Sequence, residues 1–137
     1  MVFDEPVRVF LQQRLIARMT TLGPDGYPHT VPVWYTLDGD DILIASGYMT
    51  RKIQNIRTNP KGSLVIGGDP LDENRTYQPC YLFQGDFALE GEPGFDLITR
   101  IAYRYRDDHD QADRDILEWG PHQPIRFTIK RVITVME

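Results

Sequence analysis

The sequence HTVPVWYTL, at residues 29–37, has the clearest strand pattern in the chain. Apolar residues occupy every second position: Val31, Val33, Tyr35 and Leu37. The intervening positions form a more polar second face: Thr30, Pro32, Trp34 and Thr36. A period of two residues is typical of a β-strand whose two faces have different surroundings. These nine residues therefore predict one continuous strand with a core-facing side.

Turn-forming sequences flank this strand on both sides. GPDG at residues 23–26 precedes it, and DGDD at residues 38–41 follows it. Proline, glycine and aspartate in these positions favour tight turns between neighbouring strands. Strand-like apolar segments adjoin the turns at residues 15–22 and 42–46. The first part of the chain therefore predicts an antiparallel sheet built from hairpins.

The rest of the chain adds three further strand-like segments, at residues 62–68, 80–91 and 125–135. Gly85 interrupts the second of them and is expected to mark a β-bulge. The polar segment at residues 69–79 is predicted to be a loop. With the strands already described, these segments make six predicted strands.

Helical periodicity appears in three places, at residues 4–13, 51–58 and 94–108. The last of these predicts an apolar stripe: Phe95, Ile98, Ile101, Ala102 and Tyr105. Residues 109–124 are predicted to be a polar connection with at most one more helical turn. The whole pattern predicts a mainly β, α+β protein, a six-stranded antiparallel split β-barrel with short helices in one domain, residues 1–137.

The composition limits the classes of function. Fifteen basic against 20 acidic residues give a net charge of −5, which argues against a nucleic-acid partner. No apolar stretch approaches the roughly 20 residues that span a bilayer, so we expect no membrane association. The single cysteine, Cys80, excludes an intrachain disulfide and suits a cytoplasmic protein; we expect it to be buried filler. The acidic N-terminal residues do not resemble a signal peptide.

Thr50, Arg51 and Lys52 stand together at the start of the predicted helix that ends at Asn59-Pro60. Thr50 is a plausible N-cap residue. Cations at a helix N-terminus are unfavourable by about 0.3–1 kcal/mol each, because the helix dipole is positive there. A bound phosphate would reverse that effect by accepting hydrogen bonds from the backbone and both side chains. The spacing alone leaves two interpretations, a phosphate site or a solvated basic turn.

Other candidate residues carry weaker signals. The strand at residues 29–37 could lie along a planar ligand, and Pro32 has no N–H to offer it. Residues such as Trp34 and Tyr35 more often pack in a core than form the wall of a cofactor site. The three histidines, His29, His109 and His122, lack the spacing of metal ligands, so we predict no metal site. The acidic residues 107–115 are interpreted as a solvated surface.

Three ordered segments resemble one known family. They are LGPDGYPHTVPVWY at residues 22–35, DDILIASG at residues 40–47 and TRKIQNIRTNPKGSLVI at residues 50–66. Their order is similar to that of the pyridoxamine 5′-phosphate oxidase-like flavin-binding split barrels. The similarity covers residues 12–68 well and is greater to the short flavin or deazaflavin reductases of that superfamily than to the oxidase itself.

The resemblance implies a homodimer with two cofactor sites at the subunit interface. It implies that Arg51 and Lys52, helped by Thr50, hold the cofactor phosphate. The backbone of β-strand residues would run along the tricyclic ring: Thr30, Val31, Pro32, Val33 and Trp34. Ala45 and Ser46 would contact the ribityl–phosphate end. Residues of the partner chain, from the fifth strand or near Trp119, would close the site.

The sequence also departs from the oxidase pattern. Thr30 and Tyr35 stand where the oxidase has basic residues, and its C-terminal Arg-x-His element is missing. These departures argue against oxidation of vitamin B6 phosphates. The resemblance therefore implies an FMN-dependent oxidoreductase acting on an unidentified small-molecule substrate, and no catalytic residue is predicted.

Two alternatives stay open at this point. One is a deazaflavin-dependent reductase, whose cofactor carries an anionic tail that Arg57, Lys61 and Arg75 could bind. The other is a non-catalytic flavin-binding or sensor module.

Overall fold

The computed structural model describes residues 4–74 and 76–136. Within these residues the helices are α1 (Glu5–Leu11), α2 (Arg51–Thr58), α3 (Asp96–Tyr105) and α4 (His109–Trp119). The strands are β1 (Ala17–Leu22), β2 (Pro28–Val33), β3 (Thr36–Asp38), β4 (Asp41–Ser46), β5 (Lys61–Gly67), β6 (Cys80–Leu89) and β7 (Gln123–Met136).

The strands form one sheet in the order β2-β1-β5-β6-β7-β4-β3, and every neighbouring pair is antiparallel. β2 and β3 follow each other in the chain but lie at opposite edges of this sheet. The sheet must therefore curl until its two edges approach each other. This is a split β-barrel, as the sequence predicted.

The barrel encloses one large apolar core. Aromatic and aliphatic side chains from β1, β4, β5, β6 and β7 fill it, and α1 and α2 cover its openings. The largest fully buried side chains include Tyr35, Phe83, Phe87 and Phe127. The rings of Phe87 and Phe127 lie 4.5 Å apart, as expected for paired aromatics in a dense core. A second apolar layer holds α3 and α4 together beside the barrel.

The predicted single strand at residues 29–37 is wrong, because the structure divides it into β2 and β3. Tyr35 lies between the two strands and is fully buried, and its hydroxyl donates to the carbonyl of Leu11 at 2.9 Å. Its N–H donates to the hydroxyl of Tyr105 at 3.3 Å instead of to a neighbouring strand. Trp34 stacks on the Tyr105 ring at 4.7 Å. These contacts bend the chain, so the sheet has seven strands instead of six in the described residues.

The predicted polar connection at residues 109–124 is also wrong, because most of it is the helix α4. Asp108 caps this helix by accepting a hydrogen bond from the N–H of Gln111 at 3.0 Å. Ala112 and Ile116 stand four residues apart, are buried and pack with α3. A narrow apolar stripe among many charged residues was enough to form a helix, because α3 lies beside it.

Three smaller predictions have mixed outcomes. The bulge at Gly85 is confirmed, because the register between β6 and β7 shifts between Gln84 and Gly85. Cys80 is buried, as expected. Phe95, predicted on the buried stripe of α3, is 45% exposed, and Leu97 is buried instead. Among the residues that the structure describes, no helix is long and apolar enough to cross a membrane.

Candidate functional site

A cavity of about 250 Å³ lies where the ends of β2 and β4 meet the first turn of α2. Helix α3 and the segment before β7 complete its wall. The lining residues are Pro32, Val33, Trp34, Ala45, Ser46, Gly47, Lys52, Ile98, Ile101 and His122. The cavity therefore joins parts of the chain that are far apart in sequence, and its wall combines apolar side chains with polar groups.

Six of the ten residues predicted to bind a cofactor line this cavity: Pro32, Val33, Trp34, Ala45, Ser46 and Lys52. Thr50 lies beside them, because its hydroxyl is 3.2 Å from that of Ser46. Arg51 is exposed on the first turn of α2. Thr30 and Val31 lie further back along β2, where Thr30 contacts the hydroxyl of Thr20 at 2.9 Å.

The N-terminus of α2 has no side-chain cap, although Thr50 occupies the N-cap position that the sequence predicted. The Thr50 hydroxyl donates to the carbonyl of Gly47 at 3.0 Å and does not accept from a helix N–H. The first turn also has no acidic residue. The first N–H groups of the helix therefore keep their capacity to donate to an anion.

Lys52 and Arg51 add positive charge at the same place. Lys52 is half-buried, and burial lowers its pKa because the charged ammonium loses hydration. In the described part of the chain neither side chain has a carboxylate partner within ion-pair distance. A desolvated cation without a counter-ion, next to free helix N–H groups, suits a phosphate monoester. The donor set at this end of the cavity thus fits the phosphate of a cofactor.

The opposite wall is aromatic. Trp34 stacks on Tyr105 with an angle of 4° between the ring planes. The guanidinium of Arg106 lies 5.6 Å from the Trp34 ring and 5.4 Å from the Trp119 ring. The resemblance implied that residues near Trp119 of a partner chain would close the site. In this structure the Trp119 ring lies 6.4 Å from the Trp34 ring of the same chain. These packed rings hold the end of β2 in a fixed position.

The groove continues on the other side of Trp34. A second cavity of about 380 Å³ is lined by Ile16, Pro32, Val33 and Trp34. Both cavities share the end of β2, so a planar group lying along this strand could extend from one to the other. The second cavity is mainly apolar, whereas Ser46, Lys52 and His122 supply polar groups to the first.

Four lining residues were not among those predicted: Gly47, Ile98, Ile101 and His122. His122 was missed because the sequence analysis considered it only as a metal ligand. Gln123 pairs with Ser46 across β4 and β7, which places His122 next to the end of β4. The backbone of His122 also exchanges two hydrogen bonds with Gly94, at 2.8 and 3.0 Å. Only the pairing of β7 with β4 brings this histidine to Lys52, and no local motif signals it.

Two larger grooves lie elsewhere on the surface. One of about 730 Å³ has an acidic rim that includes Glu90, Glu92 and Asp96. Its Arg126 is already bound by carboxylates of Asp38, Asp41 and Glu90. The other, of about 610 Å³, lies on the outer face of the sheet beside Lys61, Lys130 and Arg131. Neither contains the residues that the sequence singled out together, so the smaller cavity is the candidate site.

The fold and this cavity together define a split-barrel protein whose cavity has a cationic group, Lys52, at the start of α2. The sequence profile of the pyridoxamine 5′-phosphate oxidase family matches residues 3–135. The chain therefore belongs to that family. No curated protein sequence matches it significantly.

Solved structures share the fold at low identity. An F420 reductase is 20% identical, with a TM-score of 0.67 over 96% of this chain and 98% of that one. A FAD-binding protein from Mesorhizobium loti is 23% identical, with a TM-score of 0.62 over 93% and 87%. The heme storage protein HutZ from Vibrio cholerae is 13% identical, with a TM-score of 0.71 over 98% and 95%. At these identities the similarity establishes the fold alone.

Proposed function

We propose that the protein is a homodimeric, FMN-dependent oxidoreductase acting on a small molecule. The observation that carries the proposal is the cationic end of the cavity, where Lys52 lines the wall at the uncapped start of α2. Arg51 precedes it on the same turn, and neither side chain has a carboxylate partner in the described part of the chain. A flavin would supply hydride transfer when bound. The family and two of the structural relatives, which are named for F420 and FAD, agree with this class of cofactor.

The protein's own residues would bind and orient the cofactor. Lys52, Arg51 and the N–H groups of α2 would hold the phosphate, and the hydroxyls of Ser46 and Thr50 would lie next to it. The end of β2, fixed by the Trp34–Tyr105 stack, would provide a flat apolar wall for the ring system. Ile98 and Ile101 of α3 would exclude water from that end. No residue of this set is assigned an acid or base role in the reaction.

Several placements favour FMN over a deazaflavin with an anionic tail. Lys61, a candidate for binding such a tail, lies in the groove with Lys130 and Arg131 and does not line the cavity. Arg57 is exposed in the last turn of α2, away from the helix N-terminus. Arg75 lies outside the described residues. The cations near the cavity are therefore enough for one phosphate, and we propose no path for a tail.

Vitamin B6 phosphate is not the proposed substrate. Tyr35, which stands where the oxidase has a basic residue, is fully buried and points its hydroxyl at Leu11. It cannot present a charge to a ligand in the cavity. The substrate is proposed to be another small molecule that reaches the apolar side of the groove.

The binding proposal is tested with three cofactors. We expect FMN to bind at least a hundredfold more tightly than riboflavin, because charge-assisted hydrogen bonds to a phosphate contribute about 1.5–3 kcal/mol each. We also expect FMN to bind more tightly than the tailed deazaflavin. Fluorescence titration of the purified protein measures all three affinities. Equal affinity for FMN and riboflavin would refute a phosphate site, and failure to bind any of them would refute the flavin proposal.

Turnover separates an enzyme from a sensor or carrier module. If the protein is an oxidoreductase, a nicotinamide donor reduces the bound flavin, and an electron acceptor reoxidises it repeatedly. A flavin that binds but stays oxidised with every nicotinamide donor would favour the non-catalytic alternative.

The outer face of the sheet supports the homodimer. Val65, Leu82 and Ile133 stand opposite one another on β5, β6 and β7, and Arg18 and Pro32 extend this row across β1 and β2. Their neighbours in sequence pack in the core, on both sides of Val65 and Arg18 and on at least one side of Leu82, Ile133 and Pro32, so by alternation these side chains point outward. An apolar row in the middle of an open sheet is typical of a surface that another protein covers.

The dimer is tested by placing a charge in this row. Val65→Arg is expected to convert the protein to a monomer, because burying an unpaired guanidinium is strongly unfavourable. Analytical ultracentrifugation measures the mass. Val9→Arg is the matched control, because Val9 is exposed on α1 and lies outside this row. A wild-type monomer, or a Val65→Arg variant that stays dimeric, would contradict the proposal.

A further inference from the structure

His122 shares the cavity with Lys52 although 70 residues separate them in the sequence. Its position is determined by the pairing of β7 with β4 and by the bridge to Gly94. The side chain is half-buried and stands next to the end of β4, where Ser46 and Gly47 also line the cavity. Ser46 is in turn 3.2 Å from the hydroxyl of Thr50 at the start of α2, so His122 lines the same cavity as the groups at that helix N-terminus.

One hydrogen bond determines which imidazole nitrogen can meet a ligand. Nδ1 of His122 lies 2.9 Å from the carbonyl oxygen of Gly120. A carbonyl can only accept, so Nδ1 carries the hydrogen and donates it. In the neutral ring Nε2 is then an acceptor, and it becomes a second donor when the ring gains a proton. Within the described residues Nε2 has no hydrogen-bond partner.

Gly120 keeps this geometry in place. It ends α4 with φ of 80° and ψ of −173°, a backbone conformation that is nearly exclusive to glycine. The carbonyl that anchors His122 thus belongs to a turn that another residue could not easily form.

The surroundings of His122 are otherwise uncharged or positive. Helix α2 contributes Lys52, α3 contributes Ile98 and Ile101, and β2 and β4 contribute apolar side chains and the Ser46 hydroxyl. The segments that contact His122 at Gly94 and Gly120 do so through their backbones. No carboxylate lines this cavity among the described residues, so nothing there compensates a proton on the ring.

We propose that His122 is a third, pH-dependent member of the anion site formed by Lys52 and the start of α2. Protonated His122 donates from Nε2 to an oxygen of the bound phosphate, or of a sulfate that takes its place. The inference rests on the proposed function for the identity of the natural ligand, but not for the existence of the anion site. Anion affinity therefore increases as the pH falls and the ring gains its proton, and it decreases as the pH rises.

Anion binding and protonation of His122 are thermodynamically linked, so each can be measured through its effect on the other. An anion that binds the protonated form about tenfold more tightly must move the midpoint of the His122 titration to higher pH by about one. Imidazole NMR signals are followed against pH with sodium sulfate and with sodium chloride at equal ionic strength. Sulfate is the probe because it keeps the same charge over this range, whereas a phosphate ester gains a proton near pH 6.

The other two histidines are internal controls. His109 stacks on Tyr103 in the helical layer, and His29 lies in β2 opposite Thr21. Sulfate is expected to move the midpoint of His122 alone. If the His122 midpoint stays fixed, or if all three histidines move equally, the proposal is overturned.

A variant supplies an independent test. In His122→Asn the amide nitrogen can replace Nδ1 as the donor to Gly120, but nothing replaces the titratable Nε2. This variant is expected to bind sulfate about tenfold more weakly than wild type at pH 5.5 and equally at pH 8. His109→Asn is expected to bind sulfate as tightly as wild type at both pH values. Equal sulfate binding by His122→Asn at the lower pH would overturn the inference.

The outcome is distinguishable from failure of the proposed function. A protein that binds no flavin but shows the selective sulfate response of His122 would refute the flavin proposal and support the anion site. A protein that binds FMN through Lys52 and shows no response at His122 would support the flavin proposal and overturn the role of His122 in the anion site.

Discussion

The variant Arg51→Ala/Lys52→Ala is expected to bind FMN about a hundred- to ten-thousandfold more weakly than wild type. Each lost charge-assisted hydrogen bond contributes about 1.5–3 kcal/mol, and each 1.4 kcal/mol is a factor of ten in affinity. The effect should be close to this size because Lys52 is partly desolvated, which strengthens its attraction to an anion. Fluorescence titration measures the affinity of the two proteins.

The loss should be confined to the phosphate. Riboflavin, which has no phosphate, is expected to bind the double variant and wild type with similar affinity. The fold should survive, because neither side chain belongs to the core and the first turn of α2 loses an unfavourable charge. Circular dichroism and the unfolding midpoint check this point.

A matched control removes two cations outside the cavity. Arg57 is exposed near the C-terminal end of α2, and Lys61 lies in the other groove. Arg57→Ala/Lys61→Ala changes the net charge equally and is expected to leave FMN affinity within about threefold of wild type, since exposed charges act weakly through water. If both double variants lost affinity equally, the effect would come from general electrostatics and the proposed phosphate site would be wrong.

The second large effect concerns stability. Gly67→Ala is expected to lower the free energy of unfolding by about 2–5 kcal/mol. Gly67 has φ of +96°, where a side chain is unfavourable by about 1–2 kcal/mol. An added Cβ would also lie 2.0 Å from the carbonyl oxygen of Pro79 and 2.6 Å from the Phe10 ring. Relieving such overlap in a packed region typically costs a further 1–3 kcal/mol.

The carbonyl of Pro79 cannot move away freely, because it accepts a hydrogen bond from the N–H of Gly68 at 3.1 Å. Urea unfolding followed by fluorescence measures the difference in free energy. Gly26→Ala is the control, since Gly26 has φ of +85° but no atom within 4 Å of an added Cβ. It is expected to lose only about 1–2 kcal/mol. Equal losses at both sites would show that steric overlap contributes nothing at Gly67.

Most of the fold was predictable because local sequence patterns indicate its strands, turns and helices. Alternating apolar residues and short turns predicted the antiparallel sheet, and Gly85 predicted the bulge. The errors arose where contacts distant in sequence overrode the local pattern. Residues 29–37 alternate like one strand, but the Tyr35 hydroxyl bonds to Leu11 and its N–H bonds to Tyr105. Ala112 and Ile116 form only a narrow stripe, and α3 makes that stripe sufficient for a helix.

The candidate site also contains residues that could be predicted from the local sequence and residues that could not. The sequence by itself determined the cationic start of α2 and the end of β2, because those residues are contiguous and their chemistry is readable without a fold. The predicted cofactor-binding residues also included Thr30 and Val31. These two lie further back along β2 and do not line the cavity.

Only the tertiary structure decided that His122 faces the same space as Lys52. The pairing of Gln123 with Ser46 brings it there, and strand pairing over such a distance depends on the packing of the whole barrel. The tertiary structure also separated Lys61 from Lys52, nine residues away, because Lys52 lies on α2 and Lys61 on β5, and the two residues line different cavities. Local sequence specifies which chemical groups are available, whereas long-range packing specifies which of them meet.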